Sequence, residues 1–173
     1  REAMEKARAE MLQEGLWAGL IGYLTVALVM GLIDVVRGHS FFYTAAVLGG
    51  ALFGSGGAVA VTPELVFPYN GVHLLAFLGL GLLLAFLVYE IELHLAIWYF
   101  VFFLVLCLFF VSLFVVNALG EAGGPGVSWV SVFVANSLAA VAMGWYIRSR
   151  HRGLWRTMRD RSDPEVEPPS APG

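Results

Sequence analysis

The sequence predicts an all-α fold: a polytopic integral membrane helix bundle with four transmembrane helices and one short re-entrant or interfacial helix. Three observations carry that prediction. Hydrophobic residues make up 59% of the 173 residues and charged residues only 13%, against roughly 25% charged in a soluble domain. Mean hydropathy is +0.78. The ionisable groups are also segregated. Between Val35 and Tyr146 they are Arg37, His39, Glu64, His73, Glu90, Glu92, His94 and Glu121 alone, too few to cover a globular surface. The net charge of −3 therefore describes the two ends of the chain rather than its middle.

Residues 1–14 mix acidic and basic helix formers, which predicts a short amphipathic surface helix leading into the first span. No signal peptide is visible, because the first apolar stretch is long and runs on into further spans. That span, 15–36, has the ~20 apolar residues needed to cross a hydrocarbon core of about 30 Å. Gly15, Gly19 and Gly22, with Ala18, set small residues on one face, a pattern that admits a close helix neighbour. Asp34 and Arg37 stand three apart at its end and are expected to pair locally.

The stretch 41–61 is glycine-rich. Each of Gly49, Gly50, Gly54, Gly56 and Gly57 weakens a helix by about 1 kcal/mol against alanine. The reading is a short helix of about 44–53, capped by Thr44, followed by a loop; the alternative is a fifth span. Pro63 and Pro68 signal a helix start, giving a second span at 68–89. A polar turn at Glu90, Glu92 and His94 separates it from a third, aromatic span at 95–117. The loop 120–126 is a breaker, and the fourth span covers 127–147. Asn136, Ala140 and Gly144 recur there at four-residue spacing, a second helix-packing face. The lone cysteine, Cys107, excludes an intrachain disulfide and reads as a buried or lipid-facing thiol.

Orientation follows from the tail 148–173. Arg148, Arg150, Arg152, Arg156, Arg159 and Arg161 crowd the end of the last span, which predicts a cytoplasmic C-terminus in a bacterial inner membrane. Four spans place nine basic residues inside and one outside, whereas five place seven inside and three outside. The positive-inside bias favours four. The same arginines anchor topology and attract anionic lipid headgroups, at about 1 kcal/mol per basic residue near the surface. The end of the tail is Pro-rich and acidic, expected to be disordered when alone. No fold presents the arginines to nucleic acid.

No catalytic, metal or nucleotide motif emerges, so an enzyme is not expected. The run GSGGAVAV lacks the Gly-Lys-Ser/Thr of a phosphate loop. Glu90 and His94 do not match the paired Glu-x-x-His of di-iron bundles. His73 is the one candidate cofactor contact. An ionisable residue inside a span is a functional hypothesis by default, and its imidazole can ligate a haem iron or pigment magnesium or hydrogen-bond a quinone. A bis-histidine haem would need His39 as its second ligand. The structural alternative is a neutral histidine bonded to a backbone carbonyl or to Asn117. Asn70, Glu64 and Glu121 complete the polar set on that side. The expected roles, in order, are a non-catalytic accessory or assembly subunit of a larger, energy-converting membrane complex, a haem-, quinone- or pigment-binding protein using His73, and a small oligomeric transporter. The partners implied are the bilayer and other membrane subunits. The sequence names no particular cofactor.

Overall fold

The computed structural model describes residues 2–53, 60–93 and 128–151. Among them every regular element is an α-helix: α1 (Glu2–Val36), α2 (Tyr43–Phe53), α3 (Pro63–Leu93) and α4 (Trp129–Arg150). Three helices are long and apolar enough to cross a membrane, within Arg8–Val36, Pro63–Tyr89 and Val130–Arg150, and α2 is a shorter apolar helix. Of the most apolar window in each long helix, only 28%, 22% and 33% is buried inside the protein. The remaining apolar surface, including Leu24, Leu28, Leu32, Leu75, Val141 and Trp145, needs a non-aqueous solvent.

The bundle is ordered by α1, which packs against both α3 and α4. Gly15 and Gly19 lie directly on the backbone of α3 at Gly81, Leu82, Phe77 and Leu78. Farther along, Gly22 faces Phe77 and Met143, and Tyr23 reaches Asn70. The order of these contacts makes α1 and α3 antiparallel. Met143 opposite Gly22, Arg37 opposite Ser131 and Glu14 opposite His151 make α1 and α4 antiparallel as well. The core between them holds Ala18, Val26, Met30, Phe77, Val132, Ala135, Ala139, Met143 and Ile147.

Three boundaries differ from those the sequence suggests. The segment 1–14 is not a separate surface helix. From Glu2 it continues unbroken into the first span as one 35-residue helix, roughly 52 Å long at 1.5 Å per residue. No proline interrupts it, and Gly15 is held by its packing on Leu82. The second span begins at Pro63 rather than Pro68. Thr62 accepts from the Leu65 and Val66 amides, Pro63 occupies the first turn where it costs nothing, and Pro68 is carried inside the helix. Glu90 and Glu92 lie in the last turn of α3, and His94 falls outside the described residues. The third span, 95–117, also lies outside them.

The Asp34–Arg37 pair expected from spacing is absent. Arg37 donates to Ser131 Oγ at 2.9 Å, while Asp34 turns inward and is only 2% exposed. The cause is the helix end. The His39 amide bonds to the Asp34 carbonyl at 2.9 Å and the Gly38 amide to the Val35 carbonyl at 3.0 Å, with Gly38 at φ +82°. This six-to-one, five-to-two closure with glycine in the left-handed region stops α1 and turns the chain. The turn aims α2 back at Asp34.

At the opposite end, His151 Nε2 meets Glu14 Oε2 at 2.8 Å and ties α4 to the entry of α1. Such pairs contribute about 0.2–1 kcal/mol. A double-mutant cycle on Glu14→Gln and His151→Asn is therefore expected to give a coupling of about 0.5 kcal/mol. Strict additivity would show that the two groups act separately.

Candidate functional site

Several polar side chains of the described bundle, Asp34, Thr44, Asn70 and His73 among them, gather between α1, the start of α2 and the first turns of α3. Asp34 is the hub. Its Oδ2 accepts from the Thr44 amide at 2.8 Å and its Oδ1 from the Thr44 hydroxyl at 2.7 Å. Both residues are buried. Thr44 thus does not cap α2 itself. It supplies two donors, and the carboxylate from α1 caps the helix, where a negative charge also suits the positive end of the dipole.

About three turns back along α1 from Asp34, the Tyr23 hydroxyl donates to Asn70 Oδ1 at 3.0 Å, and Asn70 Nδ2 donates to the Val66 carbonyl of its own helix at 2.8 Å. His73 follows Asn70 by three residues on the same face of α3. Its ring stacks on Tyr69, with centroids 5.5 Å apart and 17° between planes. It meets Phe77 edge-on at 5.0 Å and Tyr23 at 6.0 Å. Its Nε2 is buried and, among the described residues, has no hydrogen-bond partner. The backbone-carbonyl bond expected for a structural histidine is not made through that atom. Asn117, the other expected partner, lies outside the described residues.

A cavity of about 40 Å³ joins these groups. It is lined by Val26, Ala27, Met30, Gly31 and Asp34 of α1, Phe41 and Phe42 of the turn, Thr44 and Ala45 of α2, and Tyr69, Asn70 and His73 of α3. Phe41 lies over Gly31, where a side chain would collide with its ring. Phe42 is half exposed at 49% and marks the mouth.

The polar set read from the sequence is thus brought together in part. Asn70 and His73 line the cavity, Glu64 is exposed and does not, and Glu121 is outside the described residues. His39 stacks on Tyr43 at 4.1 Å and is not among the lining residues, so it does not face His73 across a haem. A macrocycle does not fit here. The cavity is far smaller than a porphyrin, and rings close on His73 from three directions. No group of three or more His, Cys, Asp or Glu is placed to hold a metal ion among the described residues. The sequence reading missed Tyr23, Thr44's donor role, Phe41 and Phe42. Asp34 was visible, but its nearest charged neighbour in sequence pointed elsewhere.

The two packing faces lie as follows. Gly15, Gly19 and Gly22 are buried at the contacts already described. On α4 the buried side is Ser131, Val132, Ala135, Ala139, Met143 and Ile147. Ala140 and Gly144 are exposed, a methyl group at Gly144 would meet nothing within 4 Å, and Asn136 bonds the Val132 carbonyl of its own helix at 2.9 Å. Arg148 and Arg150 are exposed, with the Arg150 guanidinium 5.7 Å over the Tyr146 ring. Arg152, Arg156, Arg159 and Arg161 fall outside the described residues. The chain matches no known family model, no curated protein and no solved structure, so the site is read from its own geometry.

Proposed function

We propose that the chain is a non-catalytic membrane protein that binds a small-molecule ligand at the cavity between α1, α2 and α3, with His73 as its polar contact. One observation carries this reading. His73 lies inside a span and lines a cavity, yet among the described residues its Nε2 has no hydrogen-bond partner. Leaving a buried polar atom unmatched costs about 1–3 kcal/mol, a cost that a purely structural residue at this position would avoid. The geometry favours ligand binding over the accessory-subunit role. The apolar outer faces need only lipid, whereas the unmatched imidazole needs a partner of its own.

The proposed setting is a four-span protein of the inner membrane with both ends cytoplasmic. The residues 37–62 leave α1 and enter α3 at the same end of the bundle, and α2 has 11 residues, about 16 Å of helix. That argues against a crossing by 41–61. In contrast, α3 ends beside the start of α1, and α4 begins beside its end. Joining two parallel helices requires a return across the bundle, which supports a crossing between Leu93 and Ser128. The arginines after α4 set that end in the cytoplasm. An assembly of such chains with other membrane subunits is compatible with the ligand site and is tested by co-purification.

The deciding experiment is extraction of the protein purified in mild detergent, wild type beside His73→Leu, with mass spectrometry of the extract. A molecule bound near stoichiometry in wild type and lost in the variant is expected. With both proteins stripped of bound molecules, the variant's thermal stability should stay level or rise, since leucine removes the unmatched nitrogen. If stability falls by several kcal/mol and nothing co-purifies with either protein, His73 is a packing residue and the reading fails.

A further inference from the structure

We infer that the cavity receives the polar edge of an uncharged, membrane-borne ring carrying a carbonyl or hydroxyl group, a molecule of the quinone class. The inference rests on the ligand-site reading of His73 and specifies the ligand. Charge is the first argument. Among the described residues no lysine or arginine lines the cavity, and Arg37, the nearest in sequence, donates to Ser131 instead. An anionic headgroup finds no counter-charge there. The one acidic lining residue, Asp34, has both oxygens engaged by Thr44, so a cationic group meets a carboxylate already committed. An uncharged ligand avoids both problems.

Size is the second. A space of about 40 Å³ is a few times the ~10–15 Å³ that one water needs. It suits the polar edge of a ring, its carbonyl or hydroxyl with the adjoining carbons. The ring itself would lie at the mouth, where Phe41 and Phe42 stand, with Tyr69 behind. Flat aromatic surroundings suit a flat ring, which stacks offset or edge-on. Inside, the His73 Nε2 donates or accepts according to the tautomer, so it bonds either a quinone carbonyl or a quinol hydroxyl. The surroundings complete the argument. The α1 and α3 lining residues belong to helices apolar enough to cross a membrane, the setting in which a lipid-dissolved ligand would meet them.

The test uses the full chain reconstituted in phosphatidylcholine vesicles with an azido-substituted short-chain ubiquinone as photoprobe. Labelled peptides are mapped by mass spectrometry. Labelling is expected within 41–45 or 69–73. Excess decylubiquinone should compete, and cholesterol or diolein at equal membrane fraction should not. His73→Leu should cut labelling about ten-fold, the effect of losing one hydrogen bond in a dry site. Ala45→Leu, which keeps His73 and fills the space, should do the same, with thermal stability of each variant measured alongside. Equal competition by cholesterol or diolein would mean a non-planar lipid alcohol, overturning the quinone assignment while leaving the ligand site standing. Labelling spread along the lipid-facing surface and indifferent to both substitutions would also overturn it. If no probe reaches 41–45 or 69–73 and no molecule co-purifies, the ligand-site reading falls as well.

Discussion

Replacing Gly81 by valine is expected to destabilise the protein by about 3 kcal/mol. The reason is what stands opposite. A methyl group at Gly81 would lie 2.7 Å from the Gly19 Cα, and one at Gly19 would lie 2.7 Å from the Leu78 Cα and 2.9 Å from the Phe77 carbonyl carbon. At Gly15 the nearest carbon is the Leu82 Cα at 2.8 Å. These neighbours are backbone atoms, which cannot swing aside as a side chain can. Overpacking typically costs about 1–3 kcal/mol, and here relief requires separating two helices along their length. With roughly 2–4 °C lost per kcal/mol in a chain of this size, Gly81→Val should melt roughly 6–12 °C lower in mild detergent. Gly79→Ala supplies the contrast, since a methyl group there meets nothing within 4 Å. It should be neutral or stabilising by up to about 1 kcal/mol through helix propensity. Equal melting of the two variants would mean that α1 and α3 do not touch at Gly81.

Asp34→Ala should follow closely, at about 3 kcal/mol. Hydrogen bonds to a charged group contribute roughly 1.5–3 kcal/mol each, and Asp34 accepts two from Thr44 in a site where the residues are 2% and 6% exposed. Alanine would leave the Thr44 amide and hydroxyl buried without their acceptor. The loss should be local as well as global. Amide exchange over 43–46 should accelerate, because the start of α2 loses its cap. Asp34→Asn retains one good acceptor and should lose roughly half as much. A silent Asp34→Ala, with exchange at 43–46 unchanged, would show that α2 is held by its packing on α3 alone.

The helical membrane character was legible in the sequence because it depends on composition and run length, which no distant contact alters. The short helix near 44–53 was legible for a related reason: glycine weakens a helix locally, whatever lies far away in sequence. Gly15 and Gly19 could be picked out as small residues on one face, but Gly81, their partner on α3, could not. A glycine in a leucine-rich run has no signature until the crossing point is known. Helix boundaries were harder. Pro63 and Pro68 both signal a start, and the choice between them lay with the Thr62 carbonyl.

The candidate site was half legible. His73 stood out because an ionisable group inside a span is costly wherever it points. Asn70 followed from its spacing on the same face. Asp34 was misassigned because Arg37 is three residues away on a helix, whereas the groups that bind it come from residue 44 after a turn. That turn depends on Gly38 taking a left-handed conformation, which the sequence permits but does not announce. The α4 face was ambiguous for another reason. Small residues occur on two sides of that helix, and Ala135 and Ala139, not Ala140 and Gly144, are buried.

The whole account requires that α1, α3 and α4 cross a bilayer and that α2 folds back at the end where α1 stops, which puts the Asp34–His73 cavity inside the membrane. Single-cysteine accessibility in intact cells, on a Cys107→Ala background, tests this directly. Cysteines at Glu5 and Ser149 should resist a membrane-impermeant maleimide until the cells are opened, and a cysteine at His39 should react from outside. Labelling of positions 5 and 39 from the same side would contradict the account, since α1 would then not cross.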